Sequence, residues 1–269
     1  MIRLFSRWNS TTPVEMLECC PVRFATLSVG EIEHLPIRVG NLDTHLGEVF
    51  RVQVAESGVP HIEIEGDCAR IKRLGAAMSG GTLHIHSHVG MHAGAHMSGG
   101  NLQIEGNAAD WLGAEMQSGT IQVRGSAANL VGAAYLGNPK GMSGGTILIH
   151  GTAGSEVGAK MRRGTIAVQG AIGQFAGVQM IAGSIFAFSG WGEHAGANLK
   201  RGTLFSAVNS PLPPTFHQTS RYNPSFLSIY FKKLRHWGLS IPTELDTATV
   251  WRYRGDWLAL GQGEILVPV

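Results

Sequence analysis

G-T-L-H-I-H-S-H-V-G-M-H-A-G-A-H-M-S-G at 81–99 is followed at 100–118 by G-N-L-Q-I-E-G-N-A-A-D-W-L-G-A-E-M-Q-S, a second unit of equal length and layout. On either side the same layout continues. Met78, Met97, Met116, Met142, Met161, Met180 and Leu199 form a column that advances by 19 residues at every step except one of 26, and it holds six of the nine methionines. A glycine opens the next unit three residues later, at Gly81, Gly100, Gly119, Gly145, Gly164, Gly183 and Gly202. A short fixed period of this kind means stacked units that touch only their neighbours, and not a globule built around a central pocket.

Each unit reads G-T-(I/L)-x-(I/V)-x-G, then a small-residue stretch, then G-A-x-M and a glycine. Leu83/Ile85, Leu102/Ile104, Ile121/Val123, Ile147/Ile149 and Ile166/Val168 alternate as strand residues with one face inward. Two further columns, Ala95/Ala114/Ala133/Ala159/Val178/Ala197 and Ala93/Leu112/Val131/Val157/Ala176/Ala195, are expected to fill a narrow interior. Methionine suits such a ladder because its thioether adapts to the coils above and below. A helical solenoid needs a longer repeat. The fold class read from this pattern is all-β: a right-handed parallel β-helix of about seven 19-residue coils, roughly 30–35 Å long. The 26-residue step places seven extra residues around Leu136, Gly137, Asn138, Pro139 and Lys140 in a corner loop.

Residues 1–57 lack the repeat and read as an N-terminal cap, 58–204 as the β-helix, and 205–269 as an extension packing on the solenoid or on a partner. Within the last, Asn223-Pro224 predicts a helix start, Leu227, Tyr230, Phe231, Leu234 and Trp237 recur at helical spacing, and Gly238 is the stop. Val250–Tyr253 and Trp257–Leu260 flank Gly255-Asp256 and predict a hairpin.

Charged residues are only 15% of the chain, against a usual ~25%. A net charge of +2 is too small to imply a nucleic-acid binder, and none is expected as a partner. Cys19, Cys20 and Cys68 are an odd set without a catalytic or zinc motif, so inert thiols and a reducing compartment are expected. No apolar run reaches membrane-spanning length and Met1–Pro13 lacks a signal-peptide core, which predicts a cytoplasmic protein without membrane contact.

His84, His86 and His88 alternate on the outward side of one strand. They read either as a zinc site or as an ordinary exposed face, and with no carboxylate tied to them by motif the second reading is taken. His86, Glu105 and Arg124 fall in register as a cross-coil charge ladder. Asp110, Glu115, Glu156 and Glu193 are scattered and show no paired-carboxylate signature, so no catalytic residue is expected. Lys160, Arg162 and Arg163 share a corner with Lys200 and Arg201, two coils on in the same register. These five cations are either a solvated corner or a track for a polyanionic ligand. Leu148, Ala167 and Phe186 replace the polar outward residues of earlier coils, with Phe188 following. That apolar wall is covered either by the C-terminal helix or by another subunit.

The G-A-x-M/G-G-T repeats, G-M-S-G-G at 141–145, M-R-R-G at 161–164, L-P-I-R-V-G-N at 35–41, Leu46-Gly47-Glu48-Val49-Phe50 and R-G-D-W-L-A-L-G-Q-G-E-I-L at 254–266 resemble the C-type subunit of formylmethanofuran dehydrogenase and of the related bacterial formyltransferase/hydrolase complex. The likeness covers roughly residues 20–269, and a weaker one is to the C-terminal β-helical domain of glutamate synthase. It implies a non-catalytic subunit in a hetero-oligomer whose partners are an amidohydrolase-like subunit that carries the metal, a molybdopterin-enzyme-like subunit and a formyltransferase. Such a complex moves a formyl group between tetrahydromethanopterin and a methanofuran-type carrier, with formate as product. The resemblance gives this chain no cofactor of its own. The carrier's glutamate-rich tail would suit Lys160, Arg162, Arg163, Lys200 and Arg201. The archaeal dehydrogenase and a stand-alone β-helix enzyme are the alternatives.

Overall fold

The computed structural model describes residues 1–54 and 59–269, so the boundary expected between 57 and 58 lies outside the described residues. One sheet of 13 strands runs the length of the molecule. Its middle is a parallel stack: His61–Glu65, Thr82–Ile85, Asn101–Ile104, Thr120–Val123, Thr146–Ile149, Thr165–Val168, Ser184–Ala187 and Arg201–Ser206. Equivalent residues pair without slippage, so that Leu83, Leu102, Ile121, Ile147, Ile166, Ile185 and Leu204 lie one above another. Isolated parallel bridges link Cys68, Val89, Ala108, Ala127, Ala153, Ile172 and Trp191 in a second stack. The fold is β-helix-like, as the 19-residue period predicts.

The interior is regular and largely apolar. Met78, Met97, Met116, Met142, Met161, Met180 and Leu199 are all fully buried, as are the two inward residues of each strand. The two sequence columns of methionine and glycine turn out to be one contact. A Cβ on Gly164 would lie 2.7 Å from the Met142 Cε, and the same holds for Gly100 with Met78 at 2.5 Å and Gly202 with Met180 at 2.6 Å. Each thioether methyl occupies the space that the next coil's glycine leaves open.

The G-A-x-M segment departs from expectation. Ala93, Leu112 and Val131 do belong to the main core, but Ala76, Ala95 and Ala114 form a separate cluster with Trp111 and Tyr135. Gly94, at φ +63°, turns the chain between Ala93 and Ala95, so neighbouring alanines face opposite ways. The corners also rely on more than glycine. Arg73, His92, Trp111, Leu130, Glu156, Phe175 and His194 share one left-handed column, and Ala77, His96, Glu115, Lys160, Gln179 and Asn198 another. Such backbone costs an L-residue about 1–2 kcal/mol. Hydrogen bonds between coils hold it, for example His92 N to Asp110 O at 2.9 Å and Lys160 N to Val178 O at 2.9 Å. None of these side chains is buried, so the left-handed columns display side chains on the outside.

Both ends of the parallel stack are finished by antiparallel strands. Ile2–Ser6 adds in parallel to His61–Glu65 and then pairs with Phe50–Val54. At the other end Gln262–Pro268 adds in parallel to Arg201–Ser206, followed by Val250–Gly255 and His217–Tyr222. The predicted hairpin is present, but its second strand is Gln262–Pro268, and Trp257–Leu260 lie in the turn before it. Alternation alone could not tell that turn from a strand, because it too is rich in apolar residues.

The C-terminal helix is Ser225–His236, with Pro224 before it and Gly238 at φ +92° after it. Lys233, Arg235 and His236 sit in its last turn, where the exposed carbonyls favour cations. Leu227, Phe231 and Leu234 bury against Leu148, Ala167, Phe186, Phe188 and Phe205. The apolar outer wall is therefore covered by this chain's own helix. Gln122 Nε2 donates to the Trp237 carbonyl at 2.8 Å, and Gln169 makes two bonds to the Ser240 backbone.

Candidate functional site

The corner after each core methionine is built the same way in successive coils. Arg162 N bonds to Met142 O at 2.8 Å, Ile181 N to Met161 O at 2.7 Å, and Lys200 N to Met180 O at 2.9 Å. With the methionine or leucine inside, the next two residues must point out. Arg162, Arg163, Lys200 and Arg201 are exposed for this reason, and Lys160 is half-exposed at the left-handed position just before Met161.

These five cations line two adjoining clefts. The first, of about 410 Å³, is bounded by Pro139, Lys160, Gln179, Ile181, Asn198, Lys200 and Ala259. The second, of about 400 Å³, is bounded by Arg162, Arg163, Ile181, Ala182, Lys200, Arg201 and Leu260. Ile181 and Lys200 are common to both, so they form one continuous groove. No carboxylate is among the described residues that line it. Lys160 Nζ donates to the Asn138 carbonyl at 3.2 Å and Arg201 Nε to Gln262 Oε1 at 2.8 Å, partners that leave both charges uncompensated. A concave surface carrying only positive charge concentrates anions.

Sequence reasoning found the cations and missed the walls. Pro139 comes from the seven-residue insert, and Ala259 and Leu260 from the turn between the last two strands. That turn is clamped by Asp256, which is only 3% exposed: one oxygen accepts from Asn198 N at 2.9 Å, the other from Leu258 N at 2.9 Å. Two sequence signals point there: the single break in the period, and an aspartate after glycine in a charge-poor chain.

Glu115 and Asp110 have structural occupations, whereas Glu156 and Glu193 are exposed at corners. Glu115 Oε1 accepts from Tyr135 N at 2.9 Å and from Asn138 Nδ2 at 2.6 Å, which pins the insert. Asp110 Oδ1 accepts from Asn129 N at 2.8 Å. The ladder of His86, Glu105 and Arg124 is not made: Glu105 takes His84 at 2.8 Å, and Arg124 donates to His150 at 3.2 Å. A side chain leaving a twisted sheet leans along its strand, so equal numbering does not guarantee contact. His88 separates from the other two histidines, since its Nδ1 accepts from Asn107 N at 2.8 Å. Cysteine exposure differs too. Burial pushes the Cys19 and Cys68 thiols up to about 12. Cys20 goes the other way: its partial burial is outweighed by hydrogen bonds from Ser79, Arg23 and Val22, which lower it.

No family model matches the chain. It is 34% identical over 82 residues to the C-type subunit of the tungsten-containing formylmethanofuran dehydrogenase 2 of Methanococcus maripaludis, covering 30% of each chain. It is 35% identical over 77 residues to the C-type subunit of the formyltransferase/hydrolase complex Fhc of Methylorubrum extorquens, covering 29% of this chain and 28% of that one. These alignments thus span less than a third of the curated relatives' length. A chain in the X-ray crystal structure of the formyltransferase/hydrolase complex (FhcABCD) from Methylorubrum extorquens, in complex with methylofuran, matches over 99% of both chains, with 34% identity and a TM-score of 0.90.

Proposed function

The chain belongs to the family of C-type subunits of formyltransferase/hydrolase complexes and formylmethanofuran dehydrogenases, and on that premise we propose that it is the non-catalytic structural subunit of a formyltransferase/hydrolase complex. In this reading the complex moves a formyl group from formyl-tetrahydromethanopterin through a methanofuran-type carrier to formate. Its other components are amidohydrolase-like, molybdopterin-enzyme-like and formyltransferase subunits, in the cytoplasm. The observation that carries the reading is the end-to-end likeness to a chain of the methylofuran-bound complex. A right-handed solenoid over 58–204, capped by 1–57 and extended by 205–269, would serve as the rigid wall on which those subunits dock. No described helix is long and apolar enough to cross a membrane.

The groove of Lys160, Arg162, Arg163, Lys200 and Arg201 is assigned to the anionic tail of the carrier. Positive charge without an opposing carboxylate suits a run of glutamates, and no paired carboxylates for acid–base work are among the described residues that line the groove. Purification from the native host with mass identification of bound chains tests the assembly. Recovery of amidohydrolase-like and formyltransferase partners is expected, together with no turnover by the isolated chain. Recovery of redox and iron–sulfur subunits would favour the dehydrogenase, and a monomer with hydrolase or transferase activity would overturn the proposal.

A further inference from the structure

Outside the groove, the first coils hold a second constellation on a different kind of surface, the outward face of the sheet. Strands His61–Glu65 and Thr82–Ile85 pair in parallel with Glu63 directly beside His84. Ile62, Ile64, Leu83 and Ile85 are fully buried, so the intervening Glu63 and His84 must point outward, and His86 follows on the same side. One ligand atom from each of Glu63, His84 and His86 lies within 4.8 Å of the others. The two imidazole rings approach to 4.1 Å between centroids.

We propose that Glu63, His84 and His86 form a binding site for a divalent transition-metal cation, with zinc as the representative ion. The donor set decides the class. Two imidazoles with one carboxylate suit zinc and its neighbours, whereas calcium and magnesium select oxygen ligands. Two of the three ligands are held from behind, as metal ligands are. His84 Nε2 meets Glu105 Oε1 at 2.8 Å, which leaves its Nδ1 to face a cation. Arg3 Nε donates to Glu63 Oε2 at 3.1 Å and leaves Oε1 open toward His61 Nε2, 3.6 Å away. That His61 nitrogen is shielded from solvent and has no hydrogen-bond partner among the described residues. Carboxylate partners behind ligating histidines fix the tautomer and raise ligand basicity.

Bond lengths of 2.0–2.1 Å in tetrahedral geometry bring ligand atoms to roughly 3.3 Å apart, so binding must draw the three side chains together by about an ångström. His86 is exposed, and its ring already lies against that of His84. Three protein ligands leave one position for water or for a donor from another subunit. Because Arg3 belongs to the N-terminal strand, a bound ion would tie the end of the sheet to its first coils.

Tag-free full-length chain, stripped with chelator, should take up one equivalent of zinc in competition with a chromophoric chelator. Cobalt in its place should give the intense visible absorption of a four-coordinate site. His84→Ala and His86→Ala should each abolish both signals, Glu105→Gln should weaken binding by roughly tenfold or more, and His88→Ala should change nothing. Circular dichroism checks that each variant folds; should His84→Ala not fold, His84→Gln gives the same readout. Absence of stoichiometric uptake, or uptake that survives both His84→Ala and His86→Ala unchanged, would overturn the site.

Discussion

The Tyr135 hydroxyl lies 2.9 Å from His92 Nδ1, although 43 residues separate them and the two belong to coils two apart. Tyr135 also stacks on Trp111 at 4.8 Å between centroids, so the insert in the repeat folds back along the column of left-handed corner residues. Tyr135→Ala should therefore destabilise the chain by about 1–2 kcal/mol. Tyr135→Phe, which keeps the stack and loses the hydrogen bond, should lie near 0.5–1.5 kcal/mol. Urea midpoints of the two variants check this, and equal loss in both would show that the stack contributes nothing.

Stability should weaken in mild acid. Burial, aided by the charges of Arg73 and Lys72, holds His92 below its ordinary 6.5, and burial with Arg124 does the same for His150. Between the depressed values and 6.5 the unfolded chain binds more protons than the folded one, so stability is complete above that window and is lost as pH falls through it. Thermal midpoints at pH 7.5 and 5.5 measure the difference, which should shrink in His150→Gln. An unaltered difference in that variant would remove His150 from the account.

Gly164→Ala tests the methyl-under-glycine contact. Gly164 has φ +107°, and a Cβ there would meet Met142 Cε at 2.7 Å and the Gly145 carbonyl at 2.8 Å. Strain and overlap together should cost about 2–4 kcal/mol. Gly137, at φ +88° with nothing within 4 Å, is the control, since Gly137→Ala should cost only the backbone strain of about 1–2 kcal/mol.

Alkylation should separate the cysteines. At pH 8 the folded chain should react rapidly at one thiol, Cys20, while Cys19 and Cys68, held at about 12, stay protonated and enclosed. Cys20→Ser should abolish the fast reaction, and three thiols should appear in denaturant. Fast labelling of Cys19 or Cys68 in the folded chain would contradict their burial.

The groove should bind oligoglutamate in a salt-sensitive way. Arg163→Glu with Lys200→Glu should reduce binding of a short polyglutamate peptide by at least about tenfold at low salt, and the wild-type affinity should fall steeply as ionic strength rises. Fluorescence anisotropy gives both. Arg201 is left in place because it also bonds Gln262 on the closing strand.

How much is legible in the sequence can be read from particular residues. Met142 and Gly164 announce the stack because identical coils impose identical spacing, and a side-chain period of two tells which strand residues face in. The column through Ala95 is different, because the direction of that side chain depends on the φ of Gly94, which composition does not encode. The helix is legible at both ends, from Asn223-Pro224 and Gly238, whereas its partner is not, since an apolar face at Phe186 fits an intramolecular helix and a foreign subunit equally well.

Repetition along the chain is a local property: period, inward alternation and the corner cations Arg162, Arg163, Lys200 and Arg201 all follow from counting residues. The groove walls at Pro139 and Leu260, the closing strand Gln262–Pro268 and the meeting of Glu63 with His84 and His86 exist only in the folded chain. They join segments with different or no periodicity, and what places them is mutual burial and hydrogen bonding across long stretches of chain, which no spacing rule contains.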